Sequence, residues 1–428
     1  MKKSLFILTV LTLGLTACNR EDTKPSVGTY PKDVDLSSVT TTSGGVETVD
    51  GTPTLRLRDE QVVTGSLIRT DDAHKVKVTI EDGATVTLNG ATIDGKAENG
   101  TNTPWAGITC EGDATILLTG ENTVTNFHTW YPAIFVPEGK TLTIGGSGAL
   151  TASNTYYTTT GSGAAIGGGN EIPCGNIAIT GGTVTATGGD RSAAIGGGRG
   201  TTCGSITISG GTVTATGSDS GAGIGSGYVG GSGDISISGT ATVTATGGDN
   251  AAGIGSGYAD IFSANTCGNI SISGACTVTA TGGGNAAGIG TGNQATCGSI
   301  SITGGTVRAQ GGNSAAGIGC GQGSDEKKSE CGAITIEAIV GHKDDFTSVT
   351  AIRGQGAHRP IGHSSRYGDR NTCGTITFGD NTVYTAGDYP GYYDYYNIGG
   401  NGLNFEETTT NLGNPNEDYT DNTWVLWR

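Results

Sequence analysis

The chain is short of the residues that usually build a compact globular core or a charged recognition surface. Its 428 residues include one methionine, four tryptophans and seven phenylalanines, and only 14% are charged. Lys and Arg number 23 against 39 Asp and Glu, a net charge of −16 that disfavours nucleic acid and anionic membrane surfaces as partners. Proline is nearly absent from the central part, which, with strict residue alternation there, argues for order despite 79 glycines. The ten cysteines lie at large, scattered spacings, unlike a small disulfide-stapled domain. Beyond the first eighteen residues there is no long apolar run. No serine–histidine–acid spacing, phosphate-cradling loop with its lysine, or zinc pattern is present, and the Gly-X-Gly strings are too frequent to mark a dinucleotide site.

What is present is repetition. From Ala164 to Gly323 the chain spells variants of AAIGGG…CGNIAITGGTVTATGG, anchored on Ile166, Ile195, Ile224, Ile254, Ile289 and Ile318, at steps of 29, 29, 30, 35 and 29 residues. A period near 29 predicts a solenoid and is too short for a propeller blade. Each repeat carries three short β-like runs, as in 176–180, 183–187 and 193–196. Ile177, Ile179, Val184 and Ala186 should face inward and Thr183, Thr185 and Thr187 outward, with glycine pairs turning the chain between runs. This pattern predicts an all-β fold. It should be a single parallel β-helix of about ten three-stranded coils, capped at both ends and about 50 Å long, with a right-handed path as the default.

Cys174, Cys203, Cys267, Cys297, Cys331 and Cys373 each precede Gly-X-Ile, and Ser232 fills the same slot in the skipped coil. A stacked column of this kind brings Cys174–Cys203, Cys267–Cys297 and Cys331–Cys373 within disulfide range. Free thiols are nevertheless expected. Side chains stacked in parallel point the same way, and nine cysteines besides Cys18 cannot all pair.

The flanks divide the rest of the chain. Residues 1–18 combine Lys2 and Lys3, an apolar core over Leu5–Leu15, and Leu15-Thr16-Ala17-Cys18. This segment resembles a bacterial lipoprotein signal. The resemblance implies lipidation at Cys18 and an exported, membrane-tethered protein at the outer membrane or cell surface. Residues 19–27 read as a flexible tether. Residues 28–75 read as an N-terminal cap, 76–400 as the β-helix with Ile108, Ile134, Ile361 and Ile398 as further anchors, and 401–428 as a C-terminal cap over the last sheet edge. A monomer is expected.

Four candidate surfaces emerge. Asp190, Asp219 and Asp249 each lie five residues before their anchor, and stacked carboxylates there could hold Ca²⁺, or simply cap their own turns. Tyr228 and Tyr258, each four residues after an anchor, should stack on one corner. With the far-end cluster Tyr389, Tyr392, Tyr393, Tyr395 and Tyr396 they could present rings to sugar faces, or cover glycine-rich backbone. Arg353, Arg359 and His363 belong to a charged patch beside the longest excursion, suited to an acidic sugar. The threonine columns through Thr185 and Thr187 form a hydroxyl grid that resembles the faces of ice-binding β-solenoids, although threonine is also a good outward strand residue.

The stretches VTLNGATIDG (86–95), WAGITCEGDATILLTGENTVTNF (105–127) and the central coils together resemble secreted bacterial carbohydrate-binding β-helix proteins, related in fold to pectate lyases. The resemblance implies a right-handed coil, surface calcium and binding of plant or acidic polysaccharide without turnover. A surface adhesin that contacts protein, or a calcium-dependent polysaccharide lyase, are the other two functions these features allow.

Overall fold

In the computed structural model, the described residues are 30–96, 103–154, 161–337, 348–352, 354, 361–363, 371–378, 382–384, 404–406 and 423–427. Among them the chain forms strands and two short 3-10 turns, with no α-helix. The body from Lys32 onward is a parallel β-solenoid of about ten coils, as the 29-residue period predicts.

The anchor isoleucines lie directly over one another. Ile108, Ile134, Ile166, Ile195, Ile224, Ile254, Ile289, Ile318 and Ile361 pair in parallel register, each with the next. The Asn176–Ile179 and Thr183–Thr187 runs form two further stacked columns, with Ile177 over Ile206 and Val184 over Val213. Alternation is obeyed as read: Ile177, Ile179, Val184 and Ala186 are buried while Thr183, Thr185 and Thr187 are exposed. Each fully buried isoleucine contributes roughly 1.5–3 kcal/mol relative to exposure, and the core grows by the same few side chains with every coil. A fourth, two-residue strand, such as Thr202–Cys203, adds a small sheet on the cysteine corner that the residue pattern alone did not mark as strand.

The glycine after each anchor is dictated by the stacking. Gly196, Gly225, Gly255, Gly290 and Gly319 all have φ between +125° and +136°, and a Cβ on any of them would strike the backbone of the following coil. Only glycine adopts this angle without strain while letting two chains approach so closely.

Among the described residues, each end carries an antiparallel strand on one of its columns. Val46–Val49 folds back antiparallel on Thr52–Leu57, which then starts the parallel column by pairing with Lys77–Ile80. Charges concentrate at this end: Arg56 bridges Glu47 and Glu111, and Arg58 reaches Glu47 at 2.7 Å. Parallel pairing therefore begins upstream of Val76, since Val62–Ile68 also lies parallel to Ala84–Asp94. At the far end Thr423–Trp427 pairs antiparallel with Ser348–Ile352, terminating the column of threonine-rich strands.

The expectation of free thiols fails at one pair. Cys174 and Cys203 form a disulfide across adjacent coils, with Cα atoms 4.5 Å apart. At so short a separation, two side chains leaving in the same direction still bring their sulfurs together, so parallel stacking does not forbid the bond. Cys110, Cys267, Cys276, Cys297, Cys320 and Cys331 are buried thiols.

A candidate binding corner on the solenoid

The corner that follows the anchor strands gathers aromatic, charged and amide side chains. Position four after each anchor reads Asn170, Arg199, Tyr228, Tyr258, Asn293 and Gln322. Backbone hydrogen bonds knit this column from coil to coil. Glu171 donates to the Arg199 carbonyl, Gly200 to Tyr228, Val229 to Tyr258, Ala259 to Asn293 and Gln294 to Gln322, at 2.8–3.1 Å. Residue spacing thus becomes a straight row with one strand step between side chains.

Within the row, the rings of Tyr228 and Tyr258 sit 5.5 Å apart at 36°, as their shared offset predicts. The Arg191 guanidinium lies 5.5 Å from the Tyr228 ring centre, a cation–π contact. The Tyr228 hydroxyl donates to Asp260 Oδ2 at 2.9 Å. Burial, with the carboxylate beside it, pushes that hydroxyl above its usual range. Burial also opposes ionisation of Asp260, yet hydrogen bonds from Tyr228 and Ser263 hold its carboxyl below the usual value. Lys327, its own acidity increased by burial, ties down the same segment by donating to the Asp260 carbonyl at 2.7 Å and to the Ser263 carbonyl.

The backbone beneath the tyrosines is held by a buried amide. Asn265, 1% exposed, donates to the Gly227 carbonyl at 2.6 Å and the Tyr258 carbonyl at 3.0 Å, and accepts from Ser226 Oγ. Ser226 in turn accepts from Gly257 N–H at 2.9 Å. These bonds hold the backbone beneath both tyrosines.

Several residues on this corner were not among the sequence candidates. Trp130, 46% exposed, joins the row because Asn170 N–H donates to its carbonyl, and His128 packs edge-on against it. Arg199 pairs with Glu171 at 2.8 Å. Its offset from Ile195 equals that of Tyr228 from Ile224, so the same column test would have found it. The 35-residue step between Ile254 and Ile289 holds the tip Asp260-Ile261-Phe262, where Phe262 is 91% exposed and Ile261 43%. Only the extra length of that step hinted at them. Three polar atoms along the corner, Arg199 Nε, Asn293 Oδ1 and Gln294 Oε1, have no hydrogen-bond partner.

The acidic column is assembled differently from its expectation. Asp190 is buried and its side chain hydrogen-bonds Asp219 of the next coil, while Asp219 and Asp249 are exposed. Burial first, and then the neighbouring carboxyl, raise Asp190 to about 6. The Gly161 N–H also points at the Asp190 carboxyl. Among the described residues no three His, Cys, Asp or Glu side chains converge on a metal position. The linkage has a definite sign: folding raises this pKa, so the contribution of Asp190 to stability is fully present below about pH 4 and is lost as pH rises through 6. Asp190→Asn should therefore raise the thermal midpoint at pH 7.5 by the equivalent of about 1–2 kcal/mol. That gain should disappear near pH 4, as melting curves at the two pH values would show.

Of the remaining candidates, His363 is half-buried beside the Ile361 anchor strand. Cys18, Arg353, Arg359, Tyr389, Tyr392, Tyr393, Tyr395 and Tyr396, with the Ile398 anchor, lie outside the described residues. The threonine grid is in register through Thr185, Thr214, Thr244 and Thr279 and is broken by Arg308.

Residues 177–199, 206–228, 235–258, 270–293 and 300–322 each match a family model described as Beta helix repeat. The repeats are β-helix repeats. Every matched stretch ends on the fourth residue after an anchor, the slot of Arg199, Tyr228, Tyr258, Asn293 and Gln322. The fold is consistent with the broad pectate-lyase-like group of β-helices. No curated protein and no solved structure matches the chain.

Proposed function

We propose that this β-helix protein is a non-catalytic, exported, lipid-anchored surface protein that binds carbohydrate along the tyrosine corner. The observation that carries the reading is the stacked Tyr228–Tyr258 pair, fixed from below by Asn265 and set in a row with Trp130 and Arg199. Aromatic faces bind the apolar faces of sugars with little entropy to lose, and the row advances by one strand step per coil. Arg191 and Arg199 favour an acidic polysaccharide over a neutral one, against the −16 charge of the whole chain.

Affinity electrophoresis against neutral and acidic polysaccharides tests the reading. Retardation by one class is expected, with no unsaturated sugar products released. Folded protein retained by none of them would overturn it, and unsaturated products would make the protein a lyase.

A second reading, an adhesin for a protein partner, is favoured by one feature: the Ile261-Phe262 tip offers an apolar contact that a sugar would not need. Calcium enters the proposal at the column of Asp190, Asp219 and Asp249, above pH 6, where the Asp190 carboxyl is ionised. A rise in thermal midpoint with millimolar Ca²⁺ at pH 7.5 but not at pH 5 is the expected sign, and no rise at either pH would dismiss the ion.

A further inference from the structure

The cysteine column is interrupted once, at Ser232, and the interruption divides it into runs of two and four: Cys174 and Cys203, then Cys267, Cys297, Cys331 and Cys373. Within each run the slots are in strand register, Cys174 with Cys203, Cys267 with Cys297, Cys297 with Cys331 and Cys331 with Cys373. Ser232 takes the register position between Cys203 and Cys267, so neither has a sulfur neighbour on that side. Both runs are even, so pairing that starts beside the serine leaves no sulfur over. The first run already shows that this slot accepts a cross-coil disulfide, at a Cα separation of 4.5 Å.

We propose that Cys267 and Cys297 form a second cross-coil disulfide, a covalent staple in the middle of the solenoid. Their strands, Thr266–Cys267 and Thr296–Cys297, pair in parallel one coil apart, which sets the two buried thiols in register as direct neighbours. Cys203 sits in the same slot with the same partner geometry: its sulfur contacts the Gly175 carbonyl at 3.4 Å, as that of Cys297 contacts the Gly268 carbonyl at 3.6 Å. Cys297 has a competing neighbour in Cys331, but Cys331 also has Cys320 and Cys373 beside it, whereas Cys267 faces serine on its other side.

The oxidant is a low-molecular-weight disulfide such as glutathione disulfide. One cysteine thiolate attacks it, forming a mixed disulfide and releasing one glutathione thiolate. The second cysteine thiolate then displaces the other glutathione, so two protein thiols become one disulfide while the oxidant becomes two glutathiones. In the folded chain both cysteines are buried, and Cys297 is held in its protonated form by its neighbour Cys267 and by burial. The exchange therefore belongs to the folding chain, before the coils close over the sulfurs.

The test is to denature and reduce the full chain, refold it in a glutathione redox buffer, block thiols with iodoacetamide, and map thermolysin fragments by mass. The expected result is a linked fragment pair containing Cys267 and Cys297, alongside the Cys174–Cys203 pair. Cys267→Ser and Cys297→Ser should fold, because serine occupies the same slot at Ser232, and each should leave the remaining partner alkylated. Alkylation of both Cys267 and Cys297 in the refolded parent would overturn the proposal, as would a Cys297–Cys331 fragment in their place.

Discussion

Replacing Gly225 by alanine should destabilise the solenoid by about 3 kcal/mol or more, an effect read directly from urea unfolding. Gly225 has φ +136°, and a Cβ there would sit 1.8 Å from the Gly255 carbonyl oxygen of the next coil. The contact is with backbone, which cannot rotate away as a side chain would. Relief requires the coils to separate, and each coil is held mainly by its two neighbours, so the loss spreads along the stack. Gly44→Ala is the matched control: nothing lies within 4 Å of its Cβ position, and the change should stay within about 0.5 kcal/mol. A Gly225→Ala protein as stable as the parent would mean that the glycine slot is not where two coils touch.

The second large effect concerns binding. Tyr228→Ala combined with Tyr258→Ala should weaken retention by the bound polysaccharide at least tenfold, about 1.4 kcal/mol, since both large ring faces are lost from the corner. Tyr228→Phe separates ring from hydroxyl. It keeps the stacking face but loses the bond to Asp260, so binding should survive while the Asp260 tip loosens. Phe262→Ala should leave polysaccharide retention unchanged and abolish capture of a protein partner if the tip serves one. A double tyrosine variant that is folded and still fully retained would place the sugar elsewhere on the molecule.

The fold was legible because a solenoid translates sequence period directly into space. Ile195 and Ile224 are 29 residues apart in the chain and in register as neighbours in the sheet, so an alignment of the chain with itself already gives the strand order. The tyrosine pair followed for the same reason, both rings sharing one offset from their anchors. Where that translation breaks, legibility ends. Trp130 precedes its anchor, and Ile261-Phe262 lies in an inserted stretch, so no column places either of them. The disulfide between Cys174 and Cys203 departs from the expectation of free thiols because a shared side-chain direction outweighs, in a residue pattern, a Cα separation already within disulfide range, whereas in space the separation decides.

The order of residues by itself determined the coil period, which side chains face inward, and which positions stack, because each coil repeats one local conformation and adjacent coils can pair only in register. Only the tertiary structure decided what the stacked groups do to one another. Asp190 became a buried carboxyl set against Asp219 rather than one member of an open row of charges, because its position on the corner is covered and that of Asp219 is not. Tyr228 acquired an acid partner from an insertion 32 residues downstream, and Asn265 reached back to hold two carbonyls of the same corner. Burial and hydrogen-bond reach depend on the distances between side chains of neighbouring coils, and a period fixes which coil lies next without fixing those distances.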